Sequence, residues 1–222
     1  MARRKFSEFT KLVTPAGKFA FPKLQTPDVK FSADGEYSVG VELSGVTAEE
    51  FKEKIQEAYD REYKIECESH GKTLKKYENM PWAQTLDRDK NPVEGSTTFK
   101  CKRKASGQYG KAHAKAGQRW TAGFPIFSAA GTEKVTEEIW GGTIGRCSLI
   151  LIPWYTAALG FGIRLQLEAV KVLELVTQGD KAPTQFGFED EDGYAAAPSS
   201  ATDPETSDGE LGEEEGGGGT DF

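Results

Sequence analysis

The chain of 222 residues has no uninterrupted apolar run of about 18 residues, the length a membrane-spanning helix needs. Its basic start, MARRKF, is followed by no apolar segment of the secretory kind, so the expectation is a soluble, intracellular protein. Cysteine is scarce: Cys67, Cys101 and Cys147 are odd in number and far apart, which excludes a secreted disulfide framework and fits a reducing cytoplasm. Two histidines offer little for acid–base work. Cys67-x-x-His70 is half of a zinc motif without its other half, and "GFGIRL" is an incomplete dinucleotide fingerprint. These gaps point away from an enzyme and give no reason to expect a cofactor or a metal.

Two further absences concern charge. No Lys or Arg follows Lys181, whereas residues 186–222 hold 12 of the 35 acidic residues. The remaining 23 acids face all 28 basic residues, so a body of net charge about +5 precedes an acidic tail within a chain of net charge -7. Such asymmetry is a mark of proteins that meet nucleic acid. Conversely, Gly95 to Thr132 contains no acidic residue at all.

What is present reads mainly as strands. "KFAFPKL" and "EYSVGVEL" are short and rich in aromatic or β-branched residues, with the turn signal "ADGE" between them. Tyr37, Val39, Val41 and Leu43 alternate as one buried face. "TTFKCKRKAS", "TIGRCSLILIPW" and "GFGIRLQLEAVKVLEL" add further strands, the last with Ile163, Leu165, Leu167, Ala169 and Val170 inward. One helix is expected at about residues 47–66, opened by a Thr47/Glu50 capping box and carrying the stripe Phe51, Ile55, Tyr59, Tyr63. Residues 72–94 and "SGQYGKAHAKAG" read as loops, and "GTEKVTEEIWGG" as a short helical turn.

This pattern is all-β: an OB-fold-like barrel with one appended helix. After Gln178 almost nothing is available to bury, so a disordered acidic C-terminal tail is expected. The division is a domain over 1–180 and a tail over 181–222.

The acid-free window carries the chemistry. If residues 98–104 form a strand, Lys100, Lys102 and Lys104 share one face, about 6.6–7 Å apart, opposite Phe99, Cys101 and Arg103. Lys111, Lys115 and Arg119 follow, interleaved with Tyr109 and Trp120. Cations for phosphates together with flat rings for unpaired bases are what single-stranded nucleic acid requires. Trp82 and Trp154 are weaker stacking candidates, and Phe124 and Phe127 read as core.

The tail ends "GEEEGGGGTDF". Glu213, Glu214, Glu215 and Asp221 supply charge for a basic partner, the glycines supply reach, and Phe222 supplies an apolar anchor. The same polyanion competes for the protein's own basic groove.

An acidic tail with a terminal Phe behind a basic, aromatic β domain resembles the single-stranded DNA-binding proteins of bacteria and their viruses. "PAGKFAFPKLQTPD", "FKCKRKAS" and "WGGTIGRCSLILIPWY" followed by "GFGIRLQLEAVKVLEL" are similar to phage proteins of the short-tailed coliphage type. The resemblance implies an OB-fold that coats single-stranded DNA without catalysis, in phage replication, recombination and repair within the cytoplasm of an infected bacterium. It also implies homodimers whose tails occupy the partner's groove, and docking of Asp221 and Phe222 on the replicative DNA polymerase and primase-helicase. Four glycines interrupt this tail, and Asp221 stands where the bacterial cellular type has Pro. Two alternatives are a recombination, annealing or metal-dependent nuclease factor acting on DNA ends, and a virion or protein-interaction module with a solubilising tail.

Overall fold

The computed structural model describes residues 8–177 apart from 31, 88, 112, 132 and 133. The acidic tail, with Glu213, Glu214, Glu215, Asp221 and Phe222, lies outside the described residues, as does the boundary drawn at 180.

Five strands close into a barrel. β2 (Gly17–Asp28) pairs antiparallel with β3 (Glu36–Ser44), and β3 with β5 (Pro92–Lys104). β5 runs parallel to β10 (Gly160–Glu174), which pairs antiparallel with β9 (Ile144–Thr156). β9 returns to β2 through Gly17↔Gly145 and Lys18↔Ile144, completing the ring. Closure removes the unpaired edges of these five strands. Outside the ring, β1 (Lys11–Val13) adds to β9, β4 (Trp82–Leu86) to β5, and β8 (Ile126–Phe127) to β10. β6 (Ser106–Gln108) and β7 (Arg119–Thr121) form a separate two-stranded ribbon.

Alternation decides what is inside. Val39, Val41 and Leu43 of β3 are buried, as are Phe99 and Cys101 of β5 and Leu149 and Leu151 of β9. In β10 the register slips between Leu167 and Ala169, leaving one extra residue, Glu168. The bulge turns Val170 and Val172 inward and leaves Ala169 only half-buried, against the inward position expected for it.

The helix, α1 (Gly45–His70), lays its stripe across one end of this barrel. Phe51 meets Phe99 edge-on with ring centroids 4.9 Å apart, and Tyr59 and Tyr63 pack on Phe161 at 5.1 and 5.4 Å. The expected stripe is present, but the expected capping box is not the helix start. Ser44 occupies the N-cap and Gly45, at φ 60°, turns the end of β3 directly into the helix, so Thr47 already lies in its first turn. Gly71, at φ 64°, ends it four residues beyond the expected limit: its N–H donates to the Glu68 carbonyl, and that of Lys72 to Cys67.

Two loop assignments and one helical turn change. Residues 72–94 contain β4 and the start of β5, because WAQTL pairs through its backbone while burying only Thr85. "SGQYGKAHAKAG" opens with a ribbon strand. Among the described residues of "GTEKVTEEIWGG" there is no helix, and Lys134 bridges to Phe127.

Candidate nucleic-acid interface

β3 and β5 pair without interruption from Glu36↔Lys104 to Ser44↔Ser96. This ladder fixes the parity of β5: Lys100, Lys102 and Lys104 are exposed on one face, while Phe99 and Cys101 enter the core. Cross-strand rows then extend the face over three strands. Lys100 stands beside Gly40 and Gly40 beside Ala20; Lys102 stands beside Ser38 and Ser38 beside Lys23; Thr98 stands beside Glu42 and Glu42 beside Lys18.

The middle of this face is a shallow floor of small residues. A Cβ at Gly40 would lie 2.8 Å from the Thr98 Cγ2 and 3.3 Å from the Ala20 Cβ, so the neighbours close over the glycine and little side chain stands above it. Lys18, Lys23, Lys100, Lys102 and Lys104 against Glu36 and Glu42 leave the face with net positive charge. Lys102 pairs with Glu36 at 2.6 Å and Lys18 with Glu42 at 3.7 Å. Exposed pairs of this kind contribute about 0–1 kcal/mol, so a phosphate can take either lysine from its carboxylate. Among the described residues no carboxylate lies within 4.0 Å of Lys100, Lys104, Lys111 or Lys115.

The other nominated residues are placed differently. Arg103 sits on the opposite side of β5, donating to the Leu167 carbonyl at 2.7 Å and pairing with Glu168 at 3.0 Å, so it clamps β5 to the bulge of β10. Arg119 reaches Asp34 at 2.9 Å and the Ser106 hydroxyl at 2.9 Å, tying the ribbon to the turn between β2 and β3. Trp120 lies against Gly107, where an added Cβ would be 2.6 Å from its ring. Tyr109 stacks on His113 at 4.3 Å, and Lys111 and Lys115 are exposed in the same ribbon loop. The ribbon continues directly from Lys104, so these groups prolong the lysine row beyond the barrel.

Trp82 leans on the core beside Phe99, Trp154 covers Gly162 with Tyr77 at its edge, and Phe124 packs edge-on to Tyr37. Cys67 accepts the Leu74 N–H and His70 lies 3.2 Å from Glu66. Among the described residues no three His, Cys, Asp or Glu side chains gather as a metal-binding group. No described helix is long and apolar enough to cross a membrane.

Sequence reasoning missed Lys18, Lys23 and the exposure of Phe21. Simple alternation puts residues 19, 21 and 23 on one face, yet Phe19 is fully buried and Phe21 is 90% exposed. The reason is a register shift of β2 against β3 between Ala20 and Lys23. Pro22 is the signal that was available, because a proline within a strand marks an edge or a bulge.

No protein-family model and no curated protein matches the chain. Solved structures do. The single-stranded DNA-binding protein gp2.5 of bacteriophage T7 matches with a TM-score of 0.60 and 22% identity, over 85% of this chain and 100% of that one. The single-stranded DNA-binding protein of bacteriophage Enc34 in complex with ssDNA matches with a TM-score of 0.54 and 15% identity, over 77% of this chain and 89% of that one. The same Enc34 protein in another structure gives 0.51 and 14%, over 80% and 90%. The closed five-stranded barrel with its long helix is therefore the OB-type fold of these phage single-stranded DNA-binding proteins.

Proposed function

We propose that this chain is a non-catalytic phage protein that binds single-stranded DNA across the outer face of β2, β3 and β5, coating and protecting it during replication, recombination and repair. The observation that carries the reading is the unbroken β3–β5 ladder, which holds three exposed lysines in a row beside a floor of small residues. Lysines repeating about every 6.6–7 Å suit an extended phosphate backbone. A floor with little side chain lets that backbone approach, and the second and third strands of an OB barrel are where oligonucleotides lie in this architecture. The ribbon, with Lys111, Lys115, Arg119, Tyr109 and Trp120, extends the interface. Arg103 serves it indirectly, by holding β5 on β10.

The proposal includes a body of residues 1–180 and a tail of residues 181–222. The tail competes with DNA for the basic face and, through Glu213, Glu214, Glu215, Asp221 and Phe222, docks on replication proteins such as a polymerase and primase-helicase. A homodimer offers each tail its partner's groove as well as its own.

Titration of the full chain with an unstructured oligodeoxythymidine and a matched duplex, over a range of salt, tests the interface. The single strand is expected to bind more tightly. Replacing Lys100, Lys102 and Lys104 together by Ala should weaken binding to all sequences alike. Each lost phosphate contact lowers the slope of log affinity against log salt by about 0.7, so the triple variant should lose about 2. Equal affinity for duplex, or an unchanged slope, would sink the proposal.

A further inference from the structure

Phe21 is the most exposed large apolar side chain among the described residues, at 90%, and its φ of 46° lies in the left-handed region. A residue with a Cβ enters that region at an energetic cost, and an aromatic ring left in water forgoes the gain of burial. Neither cost is offset by the fold: among the described residues Phe21 has no ring partner, cation or hydrogen-bonding side chain. Strained backbone maintained without structural return marks a functional position.

We propose that Phe21 is a stacking platform for an unpaired base, a role that rests on the single-stranded DNA reading above. The bulge makes the platform. By adding a residue to β2 between Ala20 and Lys23 it rotates the ring away from the core face that Phe19 occupies, and Pro22 fixes the backbone that follows. The ring is thereby held out before any ligand arrives, which lowers the ordering cost of binding.

The surroundings select the occupant. Lys18 and Lys23 flank the ring along β2, and Lys100 lies two strands away across Ala20 and Gly40. The flanking outer positions, Lys18, Ala20, Lys23, Ser38 and Gly40, are small or cationic. A contact with a second copy of the chain would need an apolar surround to exclude water from the ring. A nucleic acid needs only the flat face and the cations beside it.

The test uses the full chain, the variants Phe21→Ala, Phe21→Gly and Phe21→Trp, and an oligodeoxythymidine carrying a photoreactive 5-iodouracil. Phe21→Ala and Phe21→Gly should lose about five- to 150-fold in affinity, the range of one stacked base. Their salt slope should stay that of the parent, because no phosphate contact is removed. Phe21→Trp should retain binding and show quenched fluorescence, and the cross-link should map to position 21. The thermal midpoint of Phe21→Gly should equal or exceed the parent's, since glycine relieves the left-handed strain, and this separates lost binding from lost folding.

Undiminished affinity in Phe21→Ala, alongside weakened binding by the lysine variant, overturns the stacking role and leaves the interface standing. Failure of the parent chain to prefer single strands removes the interface and the platform together. A change in sedimentation with unchanged DNA affinity assigns the ring to contact between copies and overturns the proposal.

Discussion

Cys101 and Cys147 are both fully buried inside the barrel, where the Cys101 thiol donates to the Phe99 carbonyl at 3.7 Å. The neighbouring Cys147 thiol and the burial push the Cys101 thiol well above its ordinary range. In the unfolded chain a thiol ionises near ~8.5. Below that pH both states hold the proton and the contribution to stability is complete. As pH rises above it the unfolded state ionises first, so stability declines until the folded-state thiol also ionises. Denaturant midpoints should therefore be flat through neutral pH and fall on the alkaline side, and Cys101→Ala should reduce that fall. At pH 8 a thiol reagent should modify the part-exposed Cys67 quickly and the other two only as fast as the protein unfolds. A flat alkaline profile, or three equally fast thiols, would contradict the buried pair. At this scale the lysine row was legible, because alternation alone places Lys100, Lys102 and Lys104 together. The partners of Arg103 and Arg119 were not, since Glu168 and Asp34 are remote in sequence and meet these arginines only through a bulge and a turn.

Among the elements, α1 shows how one apolar stripe closes a barrel. Phe51 and Ile55 are buried against a sheet end that would otherwise expose Phe99 and Phe161 to water. Phe51→Ala removes a ring from a close-packed site and should cost about 3–5 kcal/mol. Val46→Thr, at an exposed position in the first turn, should stay within ~0.5 kcal/mol. Urea unfolding of both variants checks the contrast; similar midpoints would mean that the helix is not part of the core. The stripe was readable because its four-residue spacing is long and regular. The helix ends were not, because Gly45 and Gly71 set them through backbone conformation. β4 and β6 escaped for a related reason: both are held by backbone pairing, with Thr85 alone buried in β4 and Trp120 of β7 covering Gly107 of β6. Both sequences, WAQTL and SGQ, are too short to carry a periodic apolar signal.

For the whole molecule the governing quantity is the separation of charge along the chain. A body of about +5 is covalently joined to 12 acidic residues that no Lys or Arg interrupts. Under the proposed competition, the tethered polyanion acts on the basic face at an effective concentration of about mM, whatever the protein concentration. The expected result is a lower apparent DNA affinity at low salt, with the reduction fading as salt screens both interactions. Deleting residues 186–222 should tighten binding to oligodeoxythymidine by roughly tenfold at low ionic strength, the gain shrinking towards none at high salt. Phe222→Ala leaves every charged side chain in place and should give nearly the parent's DNA affinity, while weakening capture of a replication partner. The two variants thus separate charge from anchor. Parent and truncation binding alike at every salt concentration would show that the acidic segment does not reach the basic face, and its charge would then have to act on another molecule.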